Sequence, residues 1–372
     1  MSSFLQFFPN GGSSGGGTKM DVDVLILSGG GGAAISNVNF LSACQQSGHG
    51  GGGAVYQGTI PIEPGSTVPI VVGGGGAGAG PSPCTTYGDG AIGGCSKLTF
   101  PEGTICVAGG GGGSTTCRRI GDYNSTYLMN LTPTCRVCFL GTHTAGTGGS
   151  GGCCTINQGT VCGLQHGPGA MPDEAGEGGR SLYSAGSFVG QIYQTIAPAG
   201  CYSAAKIFKG ENVKNHKYGA FYGGPGAGGI TLSGSPLSRA NSQASGGAGS
   251  GGESNHGMCV TSALHYVAIA GKGICTDISG CLQEYGAGRT FIQPTCFPTC
   301  CDGLANFGQG GAAGCRAEGC GNGGSGGSGT VILRYPDQFS AAPASPGATD
   351  CSPITPGYYT YRFNSSGSIT LP

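Results

Sequence analysis

The sequence predicts an all-β fold: a small β-sandwich or hairpin core with glycine-rich tracts and two cysteine-rich insertions. Three observations predict it. Of 372 residues, 83 are Gly and 21 are Pro, and both types penalise helix interiors, so long helices are not expected. Only 9% of residues are charged and the formal net charge is -1, whereas disordered chains usually stay solvated through a large net charge. Short runs of β-branched and aliphatic residues bounded by Gly recur along the chain, the pattern of buried strands. The 20 Cys, spread from Cys44 to Cys351, suit a chain that supplements a sparse apolar core with covalent links.

Residues 1–20 read as an attachment segment. Phe4, Phe7 and Phe8 precede a bridge of Gly and Ser over residues 10–15, the composition of a flexible spacer between modules. Three aromatics near a terminus are expected to plug into another component, since an exposed cluster of this kind is otherwise an aggregation liability. The start MSSFLQFFPNGG has no positive n-region, and no stretch approaches ~20 continuous apolar residues, so neither a secretion signal nor membrane insertion is expected. Without a basic surplus, nucleic acid and anionic membrane faces are not expected partners.

Residues 21–113 form the first part of a Gly-rich β core. An apolar run passes straight into a Gly tract at VLILSGGGGA from Val24, PIVVGGGGAG from Pro69 and ICVAGGGGGS from Ile105, and more loosely at YVAIAGKG from Tyr266. Gly tracts supply no side chains for an ordinary strand. They can instead adopt an extended helix of three residues per turn, whose bare Cα positions let backbones approach and bond laterally; the alternative is extended loops that act as flexible linkers. Further tracts lie at 146–152, 223–229, 246–252 and 319–329. Ala54 to Ile62 and Thr67 to Val72 flank Glu63-Pro64-Gly65-Ser66 and read as a hairpin. Lys97 to Phe100 and Thr104 to Val107 repeat the pattern around Pro101-Glu102-Gly103, and Pro61 and Pro69 suggest edge positions that need no ladder donor.

Residues 114–217 read as a first insertion, with Cys135, Cys138, Cys153 and Cys154 and the aromatics Tyr123, Tyr127 and Phe139. A Gly-rich β segment follows over 218–274. A second Cys-dense insertion spans 275–320 and carries Cys296, Cys300, Cys301, Cys315 and Cys320. These cysteines are disulfide candidates, to be made reduced in a host cytoplasm and oxidised after release. Residues 321–372 close the core, with Tyr358 to Phe363 and Ser368 to Leu371 flanking Asn364-Ser365-Ser366-Gly367 as a third hairpin.

The framework motifs resemble a known family. GGSGTVILRYPDQFSAAPAS from Gly326 with PGYYTYRFNSSGSITLP, the opening DVDVLILSGGGGA from Asp21, and AVYQGTIPIEPGSTVPIVVGGGGAGA resemble the glycine-rich tail-fibre and virion structural proteins of tailed bacteriophages. That resemblance implies a virion location, contacts with other fibre, tail or capsid proteins, frequent trimerisation and, in adhesin members, contact with a host surface receptor or polysaccharide through loops. The alternative within that class is an architectural capsid or tail decoration protein with no receptor contact. The Cys count and the two insertions depart from the family's pattern.

No catalytic set is expected, and no cofactor. Cys135-Arg-Val-Cys138 lacks the second CxxC or His pair of a zinc site, and the six His are scattered. The 17 Asp and Glu show no cluster beyond Asp173-Glu174, against the paired carboxylates of a glycosidase. Gly271-Lys272-Gly273 lacks the spacing of a phosphate-binding loop, and no GxSxG element is present. Lys206, Lys209, Lys214, His216 and Lys217 form a local basic cluster. Lys206, Lys209 and Lys217, with Tyr123, Tyr127 and Phe139, are the candidates for receptor contact, because long loops on a rigid scaffold carry binding chemistry.

Overall fold

A computed structural model describes residues 19–33, 49–80, 90–107, 109–110, 217–222, 271–289, 302–312, 323–343, 346–348 and 355–372 in full. It describes the backbone alone of 163–165, 180–182, 208–209, 212–216, 223, 230–231, 242–243, 253–254, 258–259, 266–267 and 349–350. Among these residues the regular elements are strands only, as the composition requires.

The strands of the body are β1 (Met20–Leu27), β2 (Val55–Ile62), β3 (Thr67–Val71), β4 (Ser96–Phe100), β5 (Gly103–Val107), β6 (Asn212–His216), β7 (Gly219–Gly223), β8 (Ile274–Thr276), β9 (Gln283–Tyr285), β10 (Thr330–Pro336), β11 (Ala348–Asp350), β12 (Tyr358–Phe363) and β13 (Gly367–Thr370). A seven-stranded antiparallel sheet runs β11-β12-β10-β1-β2-β7-β6, and a four-stranded sheet runs β13-β3-β4-β5. Short ladders join 163–165 to 180–182, 208–209 to 253–254, 230–231 to 242–243, and 258–259 to 266–267.

The two sheets face each other across one apolar core. Met20, Val22, Val24 and Ile26 of β1 alternate inward and meet Val68, Ile70, Leu98 and Ile105 of the smaller sheet, with Tyr56, Leu333, Tyr361 and Phe363 filling the centre. Burying each such side chain stabilises the fold by roughly 1.5–3 kcal/mol. The opposite face of β1 changes character along its length. Near the start Asp23 is half-buried, taking Arg334 Nη2 at 3.1 Å and the Thr59 hydroxyl at 2.8 Å on its two oxygens. Asp23 and Arg334 stand directly opposite in register. Further along, Leu25 and Leu27 are covered by the β8–β9 hairpin through Ile278 and Tyr285, so the strand ends as a continuous apolar run.

Two of the three expected hairpins are instead corners between sheets. β2 pairs with β1 and β7, while β3 pairs with β4 and β13. The turn at Glu63 to Ser66 forms as read, with Gly65 at φ 80 and Ser66 N–H donating to Glu63 O at 3.2 Å, but it carries the chain from one layer to the other. The segment 364–366 likewise passes the chain from β12 in the larger sheet to β13 in the smaller. A turn signal fixes a reversal and not which layer receives the next strand. β4 and β5 do pair as a hairpin. Pro61 and Pro69 lie in interior strands, at points where one flanking ladder has stopped: β7 reaches only residues 55–58 of β2, and β4 only residues 70–71 of β3.

Candidate functional site

Each of six sandwich strands continues into or out of a glycine segment: β1 into 28–33, 49–54 into β2, β3 into 72–80, 90–95 into β4, β5 towards 109–110, and 323–329 into β10. The segment 28–33 is wholly buried. Its N–H groups reach three neighbours in rotation. Ser28 and Gly31 donate to Ala54 and Gly51, Gly29 and Gly32 to Gly94 and Ala91, and Gly30 and Ala33 to Gly327 and Gly324, all at 2.8–3.1 Å. Donors three residues apart thus share a partner, which is the three-residue turn of a polyproline-II-like helix. Its carbonyls face three others: Gly29 O accepts from Gly110, Gly30 O from Gly76, Gly31 O from Gly311 and Ala33 O from Ala79.

The six neighbouring segments also bond to one another: Gly50 N–H to Gly311 O, Gly324 to Ala312, Gly326 to Gly76, Ala91 to Ala77 and Gly93 to Gly110. The ring closes where a Cβ on Gly110 would stand 2.2 Å from Gly51 O. The result is a hexagonal bundle, one helix within six.

Close approach explains the glycines. A Cβ on Gly29 would lie 1.9 Å from Gly74 O, on Gly32 2.0 Å from Ala77 O, and on Gly75 1.7 Å from Gly326 O. None of these three has positive φ, so glycine is needed here for space and not for backbone conformation. With no side chains to bury, cohesion comes from backbone hydrogen bonds, each contributing roughly 0.5–1.5 kcal/mol net, and from the cost of leaving a buried donor unpaired.

The bundle has a sandwich side and a free end. Ala54 lies at the level of Ser28, and Gly324, Ala91 and Ala79 at the level of Gly32 and Ala33. The described chain therefore stops at the free end at Ala33, Gly80 and Ala312 and resumes there at His49, Gly90 and Gly323. Gly110 points the same way, and Gly223 and Asn212 pair beyond Tyr222, whose partner Val55 is the bundle-side residue of β2. Arg289 and Asp302 follow suit, since Ala287 O accepts from Gly310 and Gly303 N–H donates to Ser325 O.

Two titrating sites frame this body. His49, buried near the free end, is pushed down to about 4 by burial and by the neighbouring Arg289 guanidinium. At the opposite end Lys19 bonds Glu102, and the Tyr218 hydroxyl donates to Glu102 Oε2 at 2.6 Å. Hydrogen bonds from Lys19 and Tyr218 hold Glu102 below the usual carboxylate range. Lys217 Nζ sits 4.7 Å from the Tyr218 ring centroid.

Of the sequence candidates, Lys217 is thus an exposed turn residue between β6 and β7, at the end where Lys19 enters. Lys209 lies in the short ladder with Glu253, a two-stranded sheet separate from the one whose β6–β7 turn carries Lys217. Phe4, Phe7, Phe8, Tyr123, Tyr127, Phe139, Lys206, Cys135, Cys138, Cys153, Cys154, Cys296, Cys300, Cys301, Cys315 and Cys320 lie outside the described residues. Sequence reasoning did not single out the disulfide-bonded Cys95, the exposed Cys275 and Cys281 thiols, or the Lys19–Glu102–Tyr218 cluster. Lys19 and Glu102 are 83 positions apart, and no local pattern links them. Among the described residues no group of three His, Cys, Asp or Glu side chains could hold a metal ion.

No curated protein matches the chain. A glycine-rich domain family matches residues 14–336, a span that takes in the whole bundle and most strands of both sheets. On that match, the chain belongs to the glycine-rich domain family.

Proposed function

We propose that the chain is a display subunit of a virus particle, a tail-fibre or appendage subunit or fibre-tip adhesin that mediates host attachment. One observation carries the reading: residues 1–18 join the body at Lys19, while the described body breaks off on the opposite, bundle side at Ala33, Gly80, Gly110, Gly223, Arg289 and Ala312. A rigid body thereby separates the point where the N-terminal segment joins from the points where these stretches leave. The described chain breaks off on the bundle side just before the first insertion, at Gly110, and within the second, at Arg289, and loops projecting from a rigid scaffold are where recognition is usually built. The resemblance of the opening, first-corner and closing motifs to phage fibre proteins supplies the particle. In this reading the N-terminal Phe4, Phe7 and Phe8 engage another virion protein, copies of the chain associate, and insertion side chains meet a host receptor or polysaccharide.

Location tests it. Gold labels on the N-terminus and within residues 114–217 of the particle-assembled chain should appear at the appendage, with the insertion label farther from the particle centre. Labels distributed over the shell lattice would replace the adhesin reading with a decoration protein. In a second arm, the purified full chain should bind host cells, and binding retained after residues 114–207 and 290–301, the parts of the insertions outside the body, are replaced by short linkers would exclude them as the recognition surface.

A further inference from the structure

We infer that the outer face of residues 74–80 pairs with a second copy of this chain. Segment 28–33 packs against the inner side of 73–80 and segments 90–94 and 323–329 against its flanks, but the outward side is open. Gly73, Gly76 and Ala79 are buried, whereas Gly74, Gly75, Ala77 and Gly80 are exposed. The N–H groups of Gly74 and Ala77 and the C=O groups of Gly75 and Gly78 have no hydrogen-bond partner among the described residues. They repeat at the three-residue spacing of the helix, a donor beside an acceptor in each turn. This is the same ladder by which the other faces of the segment bond to 28–33, 90–94 and 323–329.

Two glycines of this face, Gly74 and Gly80, are not required within one chain. A Cβ at Gly74 or Gly80 would meet nothing within 4 Å, and neither residue has positive φ. Glycine costs backbone entropy relative to alanine, so its presence here is explained by a neighbour that needs the space. A neighbour fitting an uncharged ladder whose one side chain is the Ala77 methyl is another polyglycine-type segment. Because 74–78 carries donors and acceptors together, two copies running antiparallel across a two-fold axis satisfy each other, the geometry of an isologous contact.

The test is native mass spectrometry with sedimentation of the full chain, against a Gly74→Val/Ala77→Pro variant. Pro keeps the φ of this helix and removes one donor, and Val fills the open space. The wild type should show a multiple of the 36.4 kDa chain mass, and the variant should revert to 36.4 kDa with an unchanged melting temperature at dilution. Amide exchange at Gly74 and Ala77 should become slower as wild-type concentration rises. A wild type that stays at single-chain mass, a variant that keeps the multiple, or protection of Gly74 and Ala77 independent of concentration would each overturn the inference. These outcomes leave the particle role untouched, because they concern one face and not the loops.

Discussion

The sandwich and the bundle are built from the same chain segments, and they cohere for opposite reasons. In β1 the inward positions are filled by Met20, Val22, Val24 and Ile26, and stability follows the apolar area they remove from water. Two residues past Leu27, the same backbone enters a packing in which a side chain on Gly29, Gly30 or Gly32 would collide with a neighbouring carbonyl. Side-chain volume holds the first region and its absence permits the second. A substitution that harms one should therefore be mild in the other, and its direction should reverse.

The largest effect is expected inside the hexagon. Gly32→Ala places a Cβ 2.0 Å from Ala77 O, and because the obstacle is backbone, relief requires moving a whole segment. We expect a loss of about 4 kcal/mol or failure to fold, read by chemical denaturation. In the sandwich the damaging direction is large to small: Leu333→Ala, at a fully buried position, should cost about 3 kcal/mol through lost burial and a residual cavity. If Gly32→Ala proved mild and Leu333→Ala severe, the bundle would have to be treated as loosely packed.

Acid sharpens the comparison, because His49 ties the bundle's free end to pH. Its folded pKa of about 4 lies below the ordinary 6.5, so the unfolded chain binds the proton first. Stability from this group is complete above pH 6.5 and falls as pH drops towards 4, by roughly 3 kcal/mol in all. His49→Gln should flatten that part of the stability–pH profile; an unaltered profile would mean that His49 is charged or solvated in the native state. The smallest effect is expected at Gly74→Ala, where the space is open. A change within about 0.5 kcal/mol at low protein concentration is predicted, and a large loss would show that the outer face is occupied within a single chain.

Much of this contrast was legible in the sequence. A strand that ends in VLIL and continues as GGGGA states both packing modes in one run, and the spread of such runs pointed to ordered glycine helices. The layer assignment was not legible. Glu63-Pro64-Gly65-Ser66 announces a reversal, but β3 is claimed by β4 and β13 through pairings distant in sequence, which turn chemistry does not encode. The continuous apolar end of β1 was likewise readable only as burial, since its cover, Ile278 and Tyr285, comes from the far side of the chain. At the end opposite the bundle, Lys19, Glu102 and Tyr218 meet only because three strand ends converge, so no spacing rule could have found them.

Amide exchange across the β1–bundle junction tests the central claim most directly. If backbone packing alone makes glycine a solid material, the amides of Gly29 to Ala33 will exchange as slowly as those of Leu25 to Leu27 and will be released together with them on global unfolding. Exchange of Gly29 to Ala33 at the rate of an unstructured peptide, beside a protected β1, would contradict the account.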